Sequence, residues 1–390
     1  MSTVAASGRL VAEAPSSSTR LMSLDVFRGA TIAAMILVND PGDGRVTYWP
    51  LEHARWSGWT PTDLVFPFFV FIVGVAMAFS FRSRLERGAS PGQLFSHALW
   101  RGFLLFALGI FINSFPNHFQ PATMRIYGVL QRIALCYVIT AVLALWTGRR
   151  TQLLVAVLCL VGYWIIMRYV PVPGYGIPTH NIPLLDPDRN LVAWLDRKLL
   201  WGHLYERTRD PEGLLSTIPA VATCVIGLLT GGWLRSYRSL GTKWMGMAGS
   251  GIALIIAGKL FNLWFPINKK LWTSSYVLFT AGLALVCLAV CYWMLDIRRW
   301  RGRWTKLFLV FGMNAIAAYV LSEVVADLLD RMQVHVSDGS VLSWHEVVYE
   351  RVFAPLASPA NASLLYAMAY VLFCWAIVWV LDKKGIFLKI

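Results

Sequence analysis

Charge is what this sequence has least of. Only 14% of its 390 residues are Asp, Glu, Lys or Arg, while 57% are apolar; in a soluble domain about a quarter of the residues are charged. Acids are the scarcer sign, 21 against 35 basic residues. That balance excludes a water-soluble globular fold, which needs more polar surface to cover its core. CxxC and HExxH spacings are missing, and no metal is expected. Cys136, Cys159, Cys224, Cys287, Cys291 and Cys374 all fall inside apolar runs. They read as small packing residues, not as a disulfide framework. A GxSxG nucleophile elbow and an internal repeat are also missing. Residues 1–22 are polar and rich in Ser and Ala, and are expected to form a disordered cytoplasmic tail, not a cleaved leader.

What is present is a succession of long apolar runs with few charges, 13 to 23 residues each, against the roughly twenty that a bilayer core requires. They fall at 24–39, 64–81, 102–114, 126–146, 153–169, 214–234, 245–264, 273–295, 307–328 and 363–381. The expected fold class is therefore all-α, a polytopic membrane protein of about ten transmembrane helices forming one domain over 23–390. A short interfacial or re-entrant segment is expected at 344–356. The longest polar connection, 171–213, is rich in Pro, Gly and Asn and reads as an ordered, turn-rich outer loop.

Orientation follows from the cations, because Lys and Arg are retained on the cytoplasmic side. Most of the 35 lie in alternate connections, including Arg82, Arg84 and Arg87, Arg149 and Arg150, Arg235 and Arg238, and Arg298 to Lys306. Both termini are thus expected to be cytoplasmic. The loop that follows the first helix then faces outward. The net charge of +14 is a topology signal, and no nucleic-acid partner is needed to explain it.

Polar residues within spans need a partner or a task. Asp25 and Arg28, three apart, read as an intrahelix ion pair or as a site where Arg28 holds a phosphate. Gln131 and Asn314 read equally as helix glue. Arg132 and Lys259 call for a cavity or a counter-ion, and Glu323 and Asp327 are the candidates. His53 lies in the first outer loop among Tyr48, Trp49, Trp56 and Trp59, which can screen it from bulk water. Taken alone it is a solvated loop histidine; so screened, it is suited to removing a proton from an amine or hydroxyl. Asn39, at the end of the first helix, offers an amide that can steady an oxyanion.

These residues sit in a longer pattern. SLDVFRG (23–29), VND (38–40), HARWSGWTPTDLVFPFFVFIVG (53–74), GVLQRIALCY (128–137), DPEGLLSTIPA (210–220), NKKLWTSSYVL (268–278) and GMNAIAAYVLSE (312–323) occur in this order. Together they resemble the heparan-α-glucosaminide N-acetyltransferase family of transmembrane acyltransferases. The resemblance implies transfer of acetyl from cytoplasmic acetyl-CoA to an amino sugar or glycan across the membrane, with no metal. It maps the active histidine onto His53, as general base or acetyl carrier, and the nearby asparagine onto Asn39. Arg28, Arg132, Arg149 and Arg235 are expected to guide the CoA phosphates. Asp63, Trp56, Lys259 and Glu323 are expected to contact the acceptor. The chain reads as a compact bacterial inner-membrane member without the large lumenal domain of the animal enzyme. Membrane lipid is an implied partner, and a homodimer is compatible with this reading. The competing reading is a secondary transporter for an amino sugar, coupled through Lys259, Glu323 and Asp327.

Overall fold

The computed structural model describes residues 21–115, 119–335 and 341–387. The expected tail over residues 1–20 lies outside the described residues. The chain enters α1 (Met22–Asn39), crosses a loop with a short 3-10 turn at Pro61–Leu64, and continues directly into α2 (Val65–Glu86). Next come α3 (Pro91–Ser114), α4 (Val129–Trp146) and α5 (Arg149–Tyr169). The long connection contains α6 (Leu191–Leu200) before α7 (Thr217–Leu234), α8 (Leu240–Phe261) and α9 (Ser274–Tyr292). α10 (Arg303–Met313) and α11 (Ala315–Arg331) lead to a two-stranded antiparallel ribbon, β1 (Gln333–His335) with β2 (Val341–Ser343). α12 (Trp344–Val348) and α13 (Pro359–Lys383) complete the chain.

Among the described residues, nine helices are long and apolar enough to cross a membrane, or ten if the bent pair α10 and α11 is one span. Three departures from the sequence expectation have local causes. The run at 102–114 is the second half of α3, which begins earlier because Ser90 caps it and Pro91 occupies its first turn. The run at 307–328 is one span in composition but two helices in space, broken at Asn314 with a 79° bend. The outer loop is not turns alone: Asn190 caps α6 within it.

Helices pack in close pairs, α8 along α9, α2 along α7, α3 along α4 and α1 along α10. In lipid, small residues permit such approach because apolar surface gains nothing by leaving lipid tails. A Cβ at Gly74 would collide with the Cys224 carbonyl, and one at Gly227 with the Phe71 carbonyl. The connections after α1, α3, α5, α8 and α11 all gather at one end of the bundle. Gly58 N donates to Ile267 O at 2.8 Å, and Trp56 Nε1 donates to Leu185 O at 2.8 Å. Arg125 pairs with Asp210 at 2.7 Å, and Tyr48 OH donates to Asn361 at 2.6 Å. The other end is closed by Arg235 with Glu86 at 3.0 Å and by Ser23 N with Asp296 at 3.3 Å.

Gly74→Val is expected to force α2 and α7 apart, costing about 1–3 kcal/mol or more. The thermal unfolding midpoint of the detergent-solubilised protein should fall; an unchanged midpoint would refute the close approach.

Candidate active site

His53 projects from the loop between α1 and α2, and its direction is set by Asp63. Pro61 and the residues after it form the turn that leads into α2, which places Asp63 at the head of the helix with its side chain 1% exposed. A carboxylate so enclosed needs donors on every side. Its Oδ2 accepts from Ala54 N and Thr60 N, both at 3.0 Å. Its Oδ1 lies 2.8 Å from His53 Nδ1 and 3.4 Å from Lys269 Nζ. Tyr276 OH on α9 donates to its backbone carbonyl. Because the carboxylate only accepts, His53 Nδ1 carries the proton and Nε2 is left as the basic nitrogen.

Lys269 lies 3.0 Å from Nδ1 and 3.4 Å from Nε2 of His53. Near-equal distances to both nitrogens put the ammonium against the ring face, not in line with either lone pair. Burial pushes the Lys269 ammonium down from its ordinary value, and Asp63 opposes that shift. Sequence reasoning missed Lys269 as a site residue, although it stands in the NKKLWTSSYVL motif.

His53 opens onto a cavity of about 1080 Å³, large for a small-molecule site. Its lining is rich in charge: Arg125, Lys269 and Lys270 are each paired with a carboxylate, Glu212, Asp63 and Glu206 in turn, while Asp40, Glu323 and Asp330 also line it. Asn39 also lines it, donating one amide hydrogen to Glu323 Oε1 at 3.2 Å and keeping the second. Burial, with Glu323 and Asp330 nearby, pushes the Asp40 carboxyl up to about 8. Below this the walls become apolar, reaching Ile32 on α1, Ile133 on α4 and Ile316 on α11. From Asn39 to Ile32 the helix falls about 10 Å, and the cavity therefore penetrates well into the membrane domain.

Of the residues expected from sequence, His53, Asn39, Asp63 and Glu323 meet at this cavity. Asp63 acts on His53 more than on any acceptor, since its carboxylate is fully engaged. Trp56 instead ties the loop to Leu185 and stacks under Arg209. Lys259 is exposed near the end of α8. Glu323 pairs with Asn39, and Asp327 with Arg331 at 2.7 Å. Arg132 is 0% exposed and near the cavity end of α4, bonded to Gly213 O at 3.0 Å and to Ser216. It ties α4 to the start of α7, because a buried guanidinium takes the nearest acceptors. At the opposite end, Arg149 bonds Gly232 O at 2.8 Å beside Arg235. Arg28 pairs with Asp25 at 2.7 Å and bonds Gly312 O at 2.6 Å.

The fold and the site define a polytopic membrane protein with an acid-oriented histidine at the head of a deep cavity whose lining is rich in charge. Residues 20–265 match the family described as heparan-alpha-glucosaminide N-acetyltransferase, catalytic. The chain belongs to that family. It is 34% identical to heparan-alpha-glucosaminide N-acetyltransferase of Homo sapiens, the match covering 78% of this chain and 53% of the human protein. It is 33% identical to the protein of the same name from Mus musculus, covering 80% and 54%. The chain thus spans about half the length of the curated relatives it matches.

Two measurements check the site. Nitrogen NMR of His53 should show the proton on Nδ1, and Asp63→Asn should shift it toward Nε2; the same tautomer in both proteins would refute the orienting role. Asp40 has a folded value above its ordinary 3.8. Its contribution to stability is therefore present below about pH 4 and lost as pH rises through about 8. Asp40→Asn should raise the melting temperature relative to wild type near pH 8–9, with the gap closing toward about pH 4.

Proposed function

We propose that this protein is a transmembrane acetyltransferase. It takes acetyl from acetyl-CoA on the side richer in Lys and Arg and passes it to a glucosamine-type amino sugar in the cavity on the other side. One observation carries the reading: in a chain of this catalytic family, His53 offers Nε2 to a large cavity while a buried carboxylate holds Nδ1. The acceptor amine attacks the thioester carbonyl, a nitrogen–carbon bond forms and the carbon–sulfur bond breaks. His53 Nε2 takes the amine proton and returns it to the departing thiolate. Asp63 stabilises the imidazolium formed in between. The free amide hydrogen of Asn39 is available to the oxyanion. Direct transfer is the preferred course; an acetyl-histidine carrier would use the same Nε2 as nucleophile.

The carboxylates of Asp40, Glu323 and Asp330 at the cavity support an amino sugar as acceptor: burial first, and repulsion from Glu323 and Asp330 second, raise the Asp40 value, and an amine entering as a cation relieves the repulsion. Cations at the opposite end, Arg28, Arg149 and Arg235, suit the phosphates of CoA. Arg132 does not, since it is buried at the cavity end. By the distribution of Lys and Arg, the cavity faces the periplasm of a bacterial inner membrane and both termini are cytoplasmic.

The test is release of free CoA by purified protein in liposomes given acetyl-CoA and glucosamine. Wild type should release CoA only with the amino sugar, and His53→Ala should lose at least about a hundredfold in rate while melting normally. Retained turnover in that variant would overturn the histidine assignment. Sugar uptake without CoA release would replace the enzyme reading with a transporter.

A further inference from the structure

Beneath the cavity floor the span formed by α10 and α11 is broken, and the break carries an unsatisfied group. Asn314, the residue between the two helices, is 1% exposed. Neither its Oδ1 nor its Nδ2 has a hydrogen-bond partner among the described residues. Ala318 N donates to Asn314 O at 2.9 Å. The N–H groups of Ala315, Ile316 and Ala317 therefore precede the first bond of α11 and have no partner within the helix. They lie at the positive end of the helix dipole. A helix interrupted inside a membrane domain is tolerated where the interruption is enclosed by protein or faces a ligand path.

The location is as informative as the chemistry. Two residues beyond Asn314, Ile316 lines the cavity floor, as does Ile32 across from it on α1. Two residues before it, the Gly312 carbonyl is held by Arg28 Nε at 2.6 Å, and a Cβ at Gly312 would collide with the Asp25 carbonyl. Backbone contact thus fixes the break against the half of α1 that runs from the cavity floor toward the opposite face. From Ile32 to Met22 that half measures about 15 Å. A donor approaching from the opposite face has to cover this distance before its acyl group meets His53.

We propose that the break at Asn314 is a positioning contact for the amide-bearing pantetheine arm of the donor, the inference resting on the acetyl-CoA reading above. An asparagine amide offers a donor and an acceptor together, and a secondary amide of the arm satisfies both. A phosphate would use only the donors and leave Oδ1 unpaired; an ammonium would use only Oδ1. The apolar neighbours Ile32 and Phe311 suit an uncharged chain and oppose an ion. The first-turn N–H groups of α11 supply additional donors for the arm's carbonyls.

The experiment measures binding of acetyl-CoA and of 3′-phospho-ADP, the nucleotide without the arm, to detergent-solubilised wild type and Asn314→Leu. Wild type should bind both. The variant should bind acetyl-CoA about tenfold more weakly, as for one or two lost neutral hydrogen bonds, and the nucleotide unchanged. Its ligand-free melting temperature should not fall, because the amide has no partner to lose. Unchanged acetyl-CoA affinity, an equal loss for both ligands, or a ligand-free variant that melts lower or does not fold would each overturn the inference. Absence of acetyl-CoA binding by wild type would instead overturn the donor reading on which it rests.

Discussion

A buried carboxylate at the head of α2 organises the cavity end of this protein. Asp63 is shut off from water, and a charge in that position persists only while donors surround it. Meeting that demand folds the loop after α1 back on itself, so that Ala54 N, Thr60 N and His53 Nδ1 converge on two oxygens. It also draws Lys269 in from the connection between α8 and α9, while Tyr276 on α9 grips the Asp63 carbonyl. Two segments more than 200 positions apart in sequence are thereby joined. The orientation of His53 is a by-product of the same satisfaction, which makes the histidine's chemistry inseparable from the local fold.

The remainder of the cavity follows from the way membrane proteins handle polarity. Charges gather at the mouth, where water and other charges are within reach, and give way to Ile and Phe with depth. The cations that line the mouth are each paired, Lys269 with Asp63 at 3.4 Å and Lys270 with Glu206 at 2.8 Å. Arg125 is the most heavily engaged of them. It answers Asp210 at 2.7 Å and Glu212 at 2.5 Å and stacks on Tyr205, so that the long connection between α5 and α7 is locked to the rim. Below, packing through Gly74, Gly227 and Gly312 brings helix backbones into direct contact.

Helix positions were legible in the sequence because a bilayer requires long uninterrupted apolar runs, and such runs survive inspection without any knowledge of neighbours. His53 and Asn39 were legible through their place beside the first helix and through the family motifs, and Glu323 through its charge inside a span. Other expected residues lie away from the cavity for a shared reason. Arg132, Lys259 and Trp56 were judged by residue type, yet a long side chain can reach backbone carbonyls, lipid-facing surface or a loop with equal ease. Lys269 drew no attention because a lysine in a polar connection is ordinary until its partner is known. The break at Asn314 was invisible for the converse reason: its flanks are apolar, and composition does not register a bend.

Sequence alone determined that the chain is a membrane-embedded helical protein, how many spans it has to within the broken one, and which family its motifs belong to. These depend on hydrophobic length and on local patterns, which are properties of consecutive residues. Tertiary structure decided which nitrogen of His53 faces the cavity, which acids and bases share its walls, and where an amide is left unpaired. Those outcomes depend on pairings between residues such as His53 and Lys269, 216 positions apart. Only the packed bundle selects one partner for a buried charge from the many that its chemistry would accept.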